Sequence, residues 1–301
     1  MRRIALRLAA PAAPVVVAAA LAACGSGGST VSARLVSDAV TATSGSTGFR
    51  MSLSGSVGAL GSRFPLSGSG VIDPRGRRGA ISVDMSSVAA LAGGQLGTVP
   101  KGPIRVDEIF LGPVAYMRAP FYSRLLPKGK TWLKLDLRSF GRALGVDLNQ
   151  LSQFGGGDPR QALDQLRAVS GDVKKLGRES VRGVQTTHYR ATIDLRRYAK
   201  IVPPAQRAQA EAGLKRLTRL SGSSGFPEEI WIDNHKLVRR IRVAYSFKPA
   251  SVPGGQKVSF DQTLELYDFG APADVAPPPA NETVDITQLL RQLGGGRPST
   301  P

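Results

Sequence analysis

One cysteine, Cys24, and two histidines, His188 and His235, are all that 301 residues contain of these two types. A single thiol cannot close a disulfide within the chain, and no cysteine–histidine set has the spacing of a zinc site. His188 falls mid-strand beside Tyr189, where a structural role is expected, and His235 falls at a hairpin tip facing solvent. The serines form no Gly-x-Ser-x-Gly elbow, and no glycine-rich phosphate loop joins a strand to a helix. Glu228 and Glu229 are adjacent on an expected strand, so they face opposite sides and do not pair as acid and base. With no nucleophile–base pair, no metal set and no cofactor motif, the chain reads as a non-enzyme without cofactor or metal. Apolar runs long enough to cross a bilayer as a helix are also missing, since the stretch from Leu8 to Ala20 is too short and alanine-rich.

That short stretch has another meaning. Arg2, Arg3 and Arg7 precede it and Leu21-Ala22-Ala23-Cys24 follows it, which is the layout of an export signal. Cysteine directly after Leu-Ala-Ala resembles the bacterial lipobox. The resemblance implies that residues 1–23 are removed and that Cys24 becomes a diacylglyceryl-modified amino terminus on the outer face of the cell membrane. Residues 24–29 then form the lipidated cysteine and a glycine–serine tether. Loss of the three signal arginines lowers the net charge from +18 to +15. Outside the cytoplasm such a surface attracts anionic lipid or envelope polymer rather than nucleic acid.

The mature chain, at 42% hydrophobic residues overall, suits one domain over residues 30–293, with a loose tail at 294–301. Thr30 to Ala42 shows helical spacing, with Thr30 as N-cap and Gly45 as stop. Alternating residues predict strands from Phe49 onward to Ile72, at Ala80–Met85, Ile104–Leu111, Val114–Arg118 and Trp132–Leu137. Asp158-Pro159 opens a second helix through Leu163, Leu166 and Val169, ended by Gly171. Strands resume at Val173–Val181 and Val184–Leu195, and Pro203-Pro204 opens a third helix to Leu220. Glu228–Asp233, Leu237–Phe247 and Val258–Phe269 predict a closing three-strand meander, with Thr283–Leu293 a short final segment. The expected fold is α+β: one large curled antiparallel sheet of about eleven strands, an incomplete barrel wrapped over a few helices.

Three blocks resemble actinobacterial envelope lipoproteins of the LolA-like and LppX/LprAFG group. They are Leu125–Asp136, Arg182–Arg190, and Glu229–Asp233 followed by Leu237–Ile241. Lys236 departs from the glycine usual in that turn and would need a positive φ. The resemblance implies a half-open β-barrel draped over helices that holds a lipid or lipoglycan in an apolar pocket. It also implies a membrane-anchored carrier, chaperone or sensor, with an envelope transporter or receiver protein as possible partner. A non-transporting surface scaffold on the same fold is the alternative, and a hydrolase is third.

Two sets of residues are candidates for that work. Ile241, Val243, Tyr245 and Phe247 share one apolar strand face and are candidates to line the cavity. Arg239, Arg240 and Arg242 are candidates for contact with headgroups or an anionic membrane.

Overall fold

The computed structural model describes residues 30–31, 33–59, 61–87, 102–124, 126–136, 166, 169–194, 207–208, 211–212, 215, 218, 225–247 and 257–286. The expected export signal, Cys24, and the expected tether and tail lie outside them.

Strand β1 is Thr30–Val31 and helix α1 is Ala33–Ser44. Then come β2 (Phe49–Ala59), β3 (Ser62–Asp73), β4 (Arg78–Asp84), β5 (Arg105–Leu111), β6 (Val114–Arg118) and β7 (Trp132–Asp136). After them follow β8 (Val169–Val181), β9 (Val184–Asp194), β10 (Gly225–Asp233), β11 (Val238–Phe247), β12 (Val258–Tyr267) and β13 (Thr283–Asp285). All thirteen join one sheet in the order β1-β8-β9-β10-β11-β12-β2-β3-β4-β5-β6-β7-β13. The sheet is curled and unclosed, and its edges are the two shortest strands.

The predicted α+β architecture is therefore present, with three corrections. Thr30 does not cap the helix; Thr30 and Val31 pair antiparallel with Lys174 and Val173 of β8. Val169 and Gly171 lie in β8 rather than at the end of a helix. Finally, β13 runs parallel to β7, so the sheet is mixed rather than wholly antiparallel. Strands of two and three residues are too short to show alternation, which is why about eleven were expected and thirteen are found among the described residues. Of the two later helices expected, Leu166 in the first and Arg207, Ala208, Glu211, Ala212, Lys215 and Thr218 in the second are helical. The rest of both lies outside the described residues.

Local chemistry accounts for the turns. Arg182 and Gly183 join β8 to β9 with φ of 49° and 80°, the pair of positive values that a two-residue hairpin with right-handed twist needs. Lys236 in the β10–β11 turn has φ of 62°, the geometry for which glycine is usual. Gly70 sits where neighbouring strands approach closely, since a Cβ there would fall 2.6 Å from the Ala80 carbonyl oxygen.

On α1, Val36, Ala39, Val40 and Thr43 are buried, at the spacing of one helical face. Val36, Ala39 and Val40 pack with Phe49, Ile72, Ile230, Ile241 and Leu266 in one core cluster drawn from β2–β5 and β8–β12. Thr43 ties helix to sheet: its Oγ1 donates to the Ala39 carbonyl at 2.8 Å and accepts from the Val238 N–H at 2.9 Å.

Candidate functional site

Register places the inward side chains in rows across the concave face, because residues directly opposite in a ladder point the same way. On the side toward α1, one row is Tyr189, Ile230, Ile241, Leu264 and Leu53, all buried in the hydrophobic core. On the side away from α1, another row is Tyr245, Phe260, Val57 and Phe64. There the Tyr245 and Phe260 rings stack, with centroids 5.1 Å apart. Between the two runs Ala191, Glu228, Val243, Gln262 and Gly55. An apolar face is thus crossed by one row that carries a carboxyl and an amide.

Of the four cavity candidates, Ile241 is core at 2% exposure, while Val243 is half-buried and packs against the core. Tyr245 is half-buried in the aromatic row. Phe247 pairs with Val258 at the strand end, and its side chain lies outside the described residues.

Glu228 is the unusual member. Its side chain is 1% exposed, and neither carboxyl oxygen has a hydrogen-bond partner. Leaving a buried polar group unpaired costs about 1–3 kcal/mol. Burial pushes its pKa from the ordinary 4.5 up to about 8, so the group is held neutral. Glu229, its neighbour, points to the opposite face and is hydrogen-bonded by Arg190 at 2.7 Å. Sequence alternation separated the two carboxyls correctly. It also held an unused signal, because Ile230 and Ile232 have the same parity as Glu228 and mark that side as the interior.

A cavity of about 1000 Å³ opens beside α1, where the β8–β9 and β10–β11 turns lie. Leu35, Tyr189 and Ile232 form its apolar wall, and Arg34, Asp38 and Arg178 are on its polar side. Its size is at the upper end for small-ligand sites, which run to about 1,000 Å³. Its walls are amphipathic, with apolar side chains where it meets the core and charged ones from both α1 and β8. These cavity residues were not singled out from the sequence, since they come together from α1, β8, β9 and β10 only in the fold.

The three arginines proposed for headgroup contact are each engaged by carboxylates. Arg239 Nε donates to Asp233 at 2.7 Å, and its guanidinium lies over the Phe269 ring at 4.6 Å. Arg240 donates to Glu265 at 2.6 Å and lies over Trp231. Arg242 is held by Asp261 at 3.0 Å and lies 3.6 Å from Glu229. Burial would raise the pKa of Glu265, but hydrogen bonds from Arg240 and Arg182 hold it below the usual carboxylate range. His188 belongs to this convex network, stacked on Trp231 at 4.0 Å with Nδ1 2.8 Å from Glu179. Trp231 Nε1 donates to the same carboxylate at 2.8 Å. His235 is exposed at the hairpin tip. The convex face is therefore a lattice of paired charges and the concave face is apolar with one polar row.

An unclosed sheet curled over a helix, with an apolar concave face, defines a half-open barrel. Two solved mycobacterial structures are similar to this chain over most of its length. LprF from Mycobacterium bovis has a TM-score of 0.42 and 14% identity, over 82% of this chain and 96% of that one. LppX from Mycobacterium tuberculosis has a TM-score of 0.39 and 13% identity, over 81% and 97%. By sequence, an uncharacterised 31.2 kDa protein from the rplA–rplJ intergenic region of Streptomyces griseus is 33% identical over 175 residues. That match covers 56% of this chain and 52% of the relative. A protein of Streptomyces coelicolor whose name places it among lipoproteins is 24% identical over 190 residues, or 60% and 53%. The chain spans about half the length of the curated relatives it matches. No protein-family model matches it.

Proposed function

We propose that the protein is a lipoprotein of the bacterial envelope, anchored through Cys24 on the outer face of the cell membrane. There it holds the acyl part of a lipid or glycolipid against its concave face, as carrier, chaperone or sensor. The observation that carries this reading is the amphipathic cavity of about 1000 Å³ between α1 and the strands, continuous with an apolar sheet face. An acyl chain passing from bilayer to such a face stays out of water at both ends of the transfer, so little free energy per methylene opposes the exchange. The Streptomyces coelicolor relative's name and the lipobox-like Leu-Ala-Ala-Cys24 support the anchor.

Mass spectrometry of lipid extracted from natively expressed protein lacking residues 1–24 tests the cargo. A stoichiometric acyl lipid is expected, and its absence would favour a scaffold. Val243→Trp tests the place. In close-packed core the indole overpacks and costs about 1–3 kcal/mol. On a ligand-bearing face it should leave stability within about 1 kcal/mol of the parent while lowering the co-purified lipid. A destabilised variant with its full lipid complement would make this face ordinary core.

The anchor has its own test. One acyl chain gives a marginal membrane affinity of about 10⁴ per molar, whereas two or three hold stably. Cys24→Ala should release the protein from membranes or leave its precursor uncut. Unchanged membrane fractionation with the signal removed would refute lipidation at Cys24.

A further inference from the structure

We propose that the row containing Glu228 and Gln262 recognises a hydroxyl group on the bound lipid, making the preferred ligand a hydroxylated acyl lipid. This rests on the lipid-binding reading above and deepens it.

Three observations converge on the row. Glu228 and Gln262 lie on the same concave face, each opposite Val243 on β11. They are two strands apart, or about 10 Å. Rows of aliphatic and aromatic side chains flank them on both sides: Ile230, Ile241 and Leu264 toward α1, Tyr245 and Phe260 away from it. An acyl chain laid along the strands across these three rows would meet aliphatic and aromatic side chains on either side of one carboxyl and one amide. Lastly, Glu228 is enclosed while Gln262 is exposed, so the row runs from the interior to an open position.

The chemistry selects the partner. A carboxyl with neither oxygen hydrogen-bonded is a vacant donor and a vacant acceptor. Burial holds it protonated up to about pH 8, so both capacities persist at neutral pH. A hydroxyl is the smallest group that both donates and accepts, and it enters an apolar site far more cheaply than a charge. A cation would need the carboxylate, which this environment disfavours. Ala191, directly opposite Glu228 on β9, brings no bulky side chain or polar atom to compete. The Gln262 amide offers the same pair of capacities at the open end of the row.

The experiment uses the chain without residues 1–24, stripped of lipid and loaded with cis-parinaric acid, whose fluorescence reports displacement. Stearic acid is compared with its monohydroxylated positional isomers. At least one isomer should displace the probe about tenfold more tightly than stearic acid, the worth of roughly one hydrogen bond. Glu228→Leu should bring that ratio to about one without weakening stearic acid. Glu228→Gln keeps a donor and an acceptor and should retain the preference; it also serves if the leucine variant does not fold. Gln262→Leu, on a different strand, should narrow the preference independently. Ratios near one for every isomer in the parent would overturn the proposal, as would a preference that survives Glu228→Leu intact. Failure of the parent to bind cis-parinaric acid at all would instead bring down the lipid-binding reading and this one with it.

Discussion

Replacing Asp233 with alanine should destabilise the protein by about 3 kcal/mol, among the largest losses expected from a single polar side chain here. The Asp233 carboxylate is fully enclosed, and it closes the β10–β11 turn from three directions. Its Oδ1 accepts from the backbone N–H groups of His235 at 2.9 Å and Leu237 at 2.8 Å. Its Oδ2 accepts from Arg239 Nε at 2.7 Å. Removing it leaves the Arg239 guanidinium, itself only 14% exposed, without its carboxylate partner. Much of the loss should come from that stranded charge. In an Arg239→Met background, Asp233→Ala should therefore cost only about 1 kcal/mol. Urea denaturation of the four proteins in the cycle measures this. Equal losses in both backgrounds would mean that the two backbone hydrogen bonds, and not the ion pair, make Asp233 important.

Glu228→Gln should stabilise the protein by about 3 kcal/mol at pH 7 and by almost nothing at pH 4.5. Below pH 4.5 folded and unfolded chains both keep the Glu228 proton, and the side chain brings no electrostatic penalty. Between 4.5 and 8 the unfolded chain releases the proton while burial makes the folded chain retain it. Stability contributed by this group thus falls as pH rises through that window, and levels off once both states are ionised above 8. Glutamine has no such proton, so the gap between variant and parent should widen from pH 4.5 to 8 and then stay constant. Denaturation midpoints at pH 4.5, 7 and 8.5 decide it. Parallel curves would show that the carboxyl is better solvated than its burial implies.

The strands were legible because most of them alternate cleanly. Phe49, Met51 and Leu53 face the core while Arg50 and Ser54 are exposed, which is the period of two carried by one buried face. What escaped were features that depend on partners distant in sequence. Nothing in Thr30-Val31 announces a strand, and its pairing exists only because β8 is present to receive it. Val169 fitted a helical spacing with Leu166, and its pairing with Ile193 on β9 overrode that local pattern. The arginines show the same limit. Arg240 and Arg242 could be assigned to one strand face from their parity, but their partners Glu265 and Asp261 lie on β12, and only register brings them together. Glu228 was placed on the face opposite Glu229 by parity, yet its isolation depends on what Ala191 and Val243 fail to offer it.

The pairing of β2 with β12 has a consequence for the order of events during synthesis. β2 receives β3 from the next turn of the chain, but its other neighbour arrives roughly 200 residues later, with Arg50 opposite Tyr267. Thr43 likewise waits for Val238, 195 residues away, before its hydroxyl can complete the joint between helix and sheet. Early segments can form hairpins, and the two halves of the curl can join only after β12 has followed. Contacts this distant make folding slow. The sheet can therefore be completed only once nearly the whole chain is available, and until then the unpaired edges of β2 and of the β8–β12 hairpins are open to wrong partners.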